Sequence, residues 1–295
     1  MPTIWVDLLG SQVRYLGDRF PTRVVESGSG APLILIHGVG GHAEAYSRNV
    51  NRLGANGFRA MAIDLLWHGY SGKPVFTNDA VPTYAQQLID LMDSEGIERA
   101  HIEGESLGGW VGMWMALEHP ERVDRLILNT TAGVRFAEGS VHEHPHEGRD
   151  LLRERSLEAI NNPNRETIRK RLEWLMASPD RVTDELVEVR LAIYTDPEAQ
   201  PALRTVFENS FGFGSGPSRV IPEQRLADIK APTLVLWSDK NPGTGPDVGR
   251  HIASLIPGSQ FYCINDAAHW PQWEHPEEHD RVVTQFLRGG NVGEG

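Results

Sequence analysis

The sequence predicts an α/β fold in which a mostly parallel central sheet is flanked by helices and interrupted by an inserted helical cap. Two apolar runs, Pro32 to Ile36 (PLILI) and Thr233 to Trp237 (TLVLW), read as strands buried on both faces, as parallel sheets require. Strand-length and helix-length patterns alternate on either side of these runs. Between about Gly133 and Gln224 the strand pattern stops and helical spacing replaces it.

Taken in order, Gln12 to Leu16 and Arg23 to Glu26 read as short strands ahead of PLILI. A helical stretch follows near Glu44 to Asn56, then a strand at Arg59 to Ile63 and a helix at Thr83 to Ser94. The ladder continues with strand Ala100 to Glu103, helix Leu107 to Glu118 and strand Arg125 to Leu128. In the insertion, Arg165 to Met176 and Thr183 to Tyr194 carry apolar residues at three- and four-residue intervals. After TLVLW come a helix near Val248 to Leu255, strand Gln260 to Ile264 and helix Glu277 to Leu287. The expected division is a core of 1–133 and 225–295 with a cap of 134–224. No internal repeat is visible, and the closing GGNVGEG reads as a frayed tail.

The chain has 295 residues, 40% hydrophobic and 23% charged, which suits a folded enzyme-sized domain. Its formal net charge of -12 and lack of clustered Lys and Arg argue against nucleic acid as a partner, because counterion release needs such a cluster. The first residues lack the basic start and apolar stretch of a secretion signal, and no run of about 18 apolar residues offers a membrane span. The single cysteine, Cys263, lies in an apolar run and has no partner for a disulfide, which favours a reduced thiol and the cytoplasm.

Gly104-Glu105-Ser106-Leu107-Gly108 is a G-x-S-x-G sequence where a predicted strand meets a predicted helix. Small residues on both sides permit a sharp, strained turn that exposes the serine as a nucleophile. His37-Gly38-Val39-Gly40-Gly41 follows the PLILI strand and supplies an oxyanion loop. The Val39 and Leu107 amides are the candidate donors, with Gly38 and Gly40 lining the substrate. His37 itself is expected to pack beneath the loop. His269, late in the chain, completes the order serine, acid, histidine and is the candidate base. His142, His144 and His146 cluster in VHEHPHEG, which reads as a solvated loop rather than a metal site. The acid should follow TLVLW, where Asp239 is the first choice, Asn241 the second and Asp247 the third. No phosphate loop or metal-ligand spacing appears, so neither cofactor nor metal is expected.

His269-Trp270-Pro271-Gln272-Trp273-Glu274-His275 resembles the stretch around the catalytic histidine of the meta-cleavage product hydrolases, enzymes of the α/β-hydrolase fold. These cut carbon-carbon bonds in ring-fission products of aromatic degradation. The segment Thr183 to Arg190 is similar to the family helix whose arginine faces the active site, which gives Arg190 the role of binding the carboxylate or dienolate end of the substrate. Leu175, Trp174 and Trp270 would contribute to an apolar cavity, and Glu105 would border it. By the same resemblance a homo-oligomer is implied. The departures are specific: Glu105 and Ala45 stand where many relatives have asparagine, and Asn241 aligns with the family aspartate.

The expected activity is hydrolysis of a carbon-carbon bond next to a ketone in a vinylogous 1,5-diketone, a small-molecule reaction that needs a proton on carbon and an acyl acceptor. The rival enzymatic reading is a carboxylesterase or lactonase with the same Ser-His machinery, favoured by the missing asparagines. Epoxide hydrolase and dehalogenase chemistry would need an aspartate where Ser106 stands. A ligand receptor on the same fold is the reading of another class, and Asn241 is the feature that speaks for it.

Overall fold

The computed structural model describes residues 3–77, 79–140, 147–210 and 219–293. Its strands are β1 (Gln12–Leu16), β2 (Thr22–Ser27), β3 (Ala31–Ile36), β4 (Phe58–Ile63), β5 (Ala100–Glu105), β6 (Val123–Asn129), β7 (Val134–Arg135), β8 (Ile221–Pro222), β9 (Thr233–Ser238) and β10 (Gln260–Ile264). Eight of them form one sheet in the order β1-β2-β4-β3-β5-β6-β9-β10. Only the β1–β2 and β2–β4 pairs are antiparallel; the rest are parallel. Strands β5 and β9 are buried throughout; in β9 this gives a near-continuous apolar run, whereas β5 also buries His101, Glu103 and Glu105. At the outer edge, β1 exposes most of its residues and carries Arg14, which pairs with Glu26 and Glu95, a charged edge that discourages further strand pairing.

The helices are α1 (Ile4–Asp7), α2 (Ser47–Ala55), α3 (Ala80–Ser94), α4 (Leu107–Glu118), α5 (Glu147–Asn161), α6 (Arg165–Glu173), α7 (Asp184–Thr195), α8 (Ala199–Ser210), α9 (Pro246–Leu255), α10 (Pro271–Glu274) and α11 (Pro276–Leu287). Between β6 and β9, α5 packs on α6 and α8, and α7 packs on α6 and α8. The two ends of this helical segment are held together by the β7–β8 pair, with Val134 opposite Ile221 and Arg135 opposite Pro222. Helix α6 begins at a reciprocal cap, in which the Asn164 side chain accepts from the Thr167 amide and the Thr167 hydroxyl accepts from the Asn164 amide.

Many boundaries differ from the sequence expectations by one to three residues, and three of the differences are informative. Strand β5 continues past Glu103, because Gly104 and Glu105 stay in register with Leu128 and Asn129. Helix α6 stops at Glu173 rather than Met176, and the Leu175 carbonyl turns to accept from the His269 amide at 2.9 Å. The closing segment is docked rather than frayed as far as Gly293: Val292 is buried, and its amide donates to Gln260 at 2.8 Å. Cys263 is free and buried. His142, His144 and His146 lie outside the described residues. No helix among the described residues is long and apolar enough to cross a membrane.

Candidate active site

Ser106 sits between β5 and α4 with φ 53° and ψ -111°, a left-handed backbone that a serine holds only under strain. The flanking glycines are what allow it. A Cβ on Gly104 would lie 2.1 Å from the Gly108 carbonyl, and one on Gly108 would lie 2.2 Å from the Ile36 carbonyl oxygen. Strand, turn and helix are therefore in backbone contact, and the G-x-S-x-G spacing follows from that contact. Leu107 opens α4 directly after the nucleophile, so its amide belongs to the helix-start N–H groups that have no partner within the helix.

The loop after β3 faces Ser106. His37 supports it from below: its Nδ1–H donates to the Gly38 carbonyl at 2.7 Å, and its Nε2 accepts from the Leu65 amide at 3.1 Å. Both nitrogens are thus committed, and burial holds its pKa down to about 3, so the ring is a neutral strut. Gly38 and Val39 line the cavity beside Ser106. Gly40, expected there too, is covered instead: Tyr194 donates to its carbonyl at 3.0 Å, and Phe207 leaves no room for a Cβ.

His269 lies between two partners. Its Nδ1 is 2.7 Å from Asn241 Oδ1, and its Nε2 is 3.0 Å from Glu105 Oε1. Asn241 also donates through Nδ2 to the Thr244 carbonyl and hydroxyl, so its oxygen faces the histidine and Nδ1 carries a proton. This corrects the preference for Asp239 as the orienting group. Asp239 stays exposed at the margin of the sheet and accepts from the Ala267 amide at 3.2 Å, whereas the chain turns inward over the next two residues and buries Asn241. Asp247 is exposed on the first turn of α9.

The Glu105 carboxyl, fully enclosed, turns into the site. Its Oε2 accepts from the Gly38 amide at 2.6 Å while its Oε1 meets the histidine. With Nδ1–H given to Asn241, the Nε2 edge of His269 and Glu105 Oε1 face each other at hydrogen-bond distance, two groups each able to take a proton.

Around this pair, Trp174 meets the His269 ring edge-on at 5.4 Å between centroids. Leu175, Trp270, Leu152 and Arg171 complete a cavity of about 10 Å³. Arg190, expected to face the substrate, is fully buried on α7 and stacks 5.2 Å from the Trp270 ring, and no nitrogen of its guanidinium has a partner among the described residues. It stands behind Trp270 rather than on the cavity wall.

Arg171 is the residue that sequence reading missed. A charged residue on an amphipathic helix reads as solvated, yet Arg171 falls on the same stripe as Ile168, Leu172 and Leu175 and is buried with them.

A family model for the alpha/beta hydrolase fold matches residues 31–276. A 2-hydroxy-6-oxononadienedioate/2-hydroxy-6-oxononatrienedioate hydrolase from Burkholderia vietnamiensis is 31% identical over 261 residues, covering 87% of this chain and 86% of the relative. A 2-hydroxy-6-oxo-6-phenylhexa-2,4-dienoate hydrolase from Burkholderia cepacia is 30% identical over 92% of both chains. The chain belongs to the meta-cleavage product hydrolases of the α/β-hydrolase family.

The resemblance carried by the His269 to His275 stretch is thereby borne out at the level of the family. A solved meta-cleavage product hydrolase from Pseudomonas fluorescens superposes with a TM-score of 0.79 at 24% identity, covering 94% of this chain and 97% of that one. A carboxylesterase from Bacillus subtilis fits almost as well, with a TM-score of 0.76 at 23% identity and coverage of 97% and 98%. Backbone shape is shared by both activities, so it does not by itself choose between them.

Proposed function

We propose that this enzyme hydrolyses a carbon-carbon bond next to a ketone in a ring-fission product of the 2-hydroxy-6-oxo-dienoate type, with Ser106 as nucleophile and His269 as proton carrier. The single observation that carries this reading is the 3.0 Å contact between His269 Nε2 and Glu105 Oε1 beside Ser106, which we read as a shared proton. Ester cleavage needs only a base for the serine; carbon-carbon cleavage needs a proton donor first and a base second.

The pair supplies both in that order. A bound dienolate takes the shared proton on the carbon next to its ketone and becomes a 1,5-diketone. Glu105 is then a carboxylate, and His269 is neutral with its Nε2 lone pair free. That lone pair takes the Ser106 proton as Oγ attacks the ketone carbon, and the oxyanion is held by the Val39 and Leu107 amides. Collapse breaks the carbon-carbon bond, leaving the acyl group on Ser106, and the released dienolate takes up the proton from His269. Water, deprotonated by His269, then attacks the acyl group; the imidazolium returns that proton to Ser106 Oγ, and the proton of the freed carboxylic acid re-forms the His269–Glu105 pair. Asn241 fixes the Nδ1–H tautomer throughout.

In this reading residues 134–224 form a cap over a core of 1–133 and 225–295. The cap contributes Leu175, Trp174 and Arg190, with Arg190 recruited to the substrate carboxylate once the side chains around the small cavity separate. The buried, unpaired thiol of Cys263 suits the cytoplasm. A second reading, esterase or lactonase, is favoured by Glu105 and Ala45 in place of asparagines. Stopped-flow absorbance with a coloured 2-hydroxy-6-oxo-dienoate and with p-nitrophenyl acetate, using wild type and Ser106→Ala, separates the two. The expected result is fast loss of dienolate colour with wild type only; rapid ester turnover with an inert dienolate would establish the second reading.

A further inference from the structure

We propose that Arg181 is a positioning residue for His269: with Glu274 it clasps the histidine loop to the segment between α6 and α7, so that the base is aligned with Ser106 only while that segment is seated. This role rests on Ser106 and His269 as nucleophile and base, and not on which bond the substrate offers.

Asn241 orients the imidazole, but where the ring stands depends on the backbone that carries it. That backbone is held from two sides. From the core, the Thr130 hydroxyl donates to the His269 carbonyl at 2.9 Å, and the Ser238 hydroxyl donates to the Ala268 carbonyl. From the segment after α6, the Leu175 carbonyl accepts from the His269 amide at 2.9 Å. Glu274 bridges the two: its Oε1 accepts from the Ala268 amide at 2.6 Å, while its Oε2 accepts from the Ala177 amide at 2.9 Å and from Arg181 Nη1 at 2.8 Å.

Arg181 closes the clasp. It ends the short turn Pro179–Arg181, donates to both the carbonyl and the carboxylate of Asp266, and accepts through its own carbonyl from the Trp273 indole at 3.2 Å. Asp266, three residues before His269, has φ 57°, a left-handed backbone that a residue other than glycine holds only when its surroundings impose it. The Glu274 side chain is fully buried, so removing Arg181 would leave its carboxylate short of a counter-charge where water cannot replace it. The two stretches joined in this way are the one that carries the base and the one that sets Trp174 against its ring. A shift of the α6–α7 segment is therefore passed to the imidazole through Glu274, and a misplacement of about 1 Å can cost about 100-fold in rate.

The test reads the serine and histidine directly, through the rate at which a fluorophosphonate labels Ser106 and through kcat and KM for p-nitrophenyl acetate, each per folded molecule. Ser106→Ala gives the background. Arg181→Met should lower the labelling rate and kcat about 30-fold and leave KM within about 2-fold. Glu274→Gln should lower both about 100-fold, because an amide has one acceptor oxygen for two arms and turns donors toward donors at the other. Arg181→Lys, which keeps the charge without the fork, should return to within about 5-fold of wild type. Arg181→Met placed on Glu274→Gln should add less than about 3-fold, as expected of one coupled unit. If Glu274→Gln fails to fold, the Arg181 variants decide alone, since that side chain is partly exposed. Unchanged labelling and kcat with a lowered urea midpoint would make the clasp purely structural and overturn the proposal, as would a rise in KM alone. Failure of wild type to take the label would overturn the nucleophile assignment with it, whereas clean labelling beside an inert dienolate would sink only the carbon-carbon reading.

Discussion

Two histidines of this molecule meet carboxylates from the same strand, and they illustrate opposite uses of one arrangement. Glu103 and Glu105 lie two residues apart on β5; Glu103 is 2.7 Å from His279 Nε2, and Glu105 is 3.0 Å from His269 Nε2. At His279 the second nitrogen meets another carboxylate, Asp280, at 2.9 Å, and Asp280 in turn accepts from Arg52 and Asn49. Although burial opposes a charge on this ring, the two carboxylates outweigh it and raise its pKa to about 10. The cluster is buried and ties β5 to α11. At His269 the second partner is an amide, one wall is the cavity, and the nucleophile is adjacent. In the proposed mechanism this is where a proton leaves, so an amide in place of the second carboxylate and one open side would separate a proton carrier from a structural ion cluster.

The comparison can be broken most forcefully at the rings themselves. His269→Ala should lower turnover by about 10⁵-fold or more, as removal of a catalytic base does, while unfolding stability in urea changes little. Glu103→Ala should do the reverse. It leaves a buried imidazolium short of a counter-charge, which costs about 3 kcal/mol of stability measured by urea unfolding, with kcat per folded molecule preserved. Asn241→Ala should reduce kcat about 100-fold by freeing the His269 tautomer, whereas Asn241→Asp should match or exceed wild type.

A smaller effect follows from pH. Since His279 holds its proton more tightly folded than unfolded, its contribution to stability is complete below about pH 6.5 and is lost as pH rises toward 10. His279→Gln should flatten that part of the stability profile, read from urea midpoints between pH 6 and 10. The smallest expected change is at Asp239: Asp239→Asn, exposed and bonded only to a backbone amide, should leave kcat within about 2-fold.

Most of the fold was legible because buried parallel strands advertise themselves as apolar runs, and β1, β10 and α4 begin and end where periodicity places them. The strained turn at Ser106 was equally legible, since such an elbow demands glycines at set positions and leaves a motif behind. The acid was not. Asp239 and Asn241 differ by two residues on one turn, and only the path of the chain after β9 decides which is buried. Glu105 could be named but not aimed, because a carboxylate after a strand end turns inward only if something waits for it, here the Gly38 amide and His269. Arg171 left no signal beyond its place on an apolar stripe, where a charge contradicts the pattern; such contradictions tend to mark functional sites.

The central claim is that the proton between Glu105 and His269 serves carbon, and Glu105→Gln tests it directly. Single-turnover stopped-flow would follow a dienolate and p-nitrophenyl acetate with this variant and with wild type. The account predicts that dienolate cleavage falls about 100-fold, the worth of a positioned proton donor, while acetyl transfer to Ser106 holds steady or quickens because Nε2 is freed. If both rates fall together, or neither moves, Glu105 is only a structural neighbour of the histidine and the proposed division of labour is wrong.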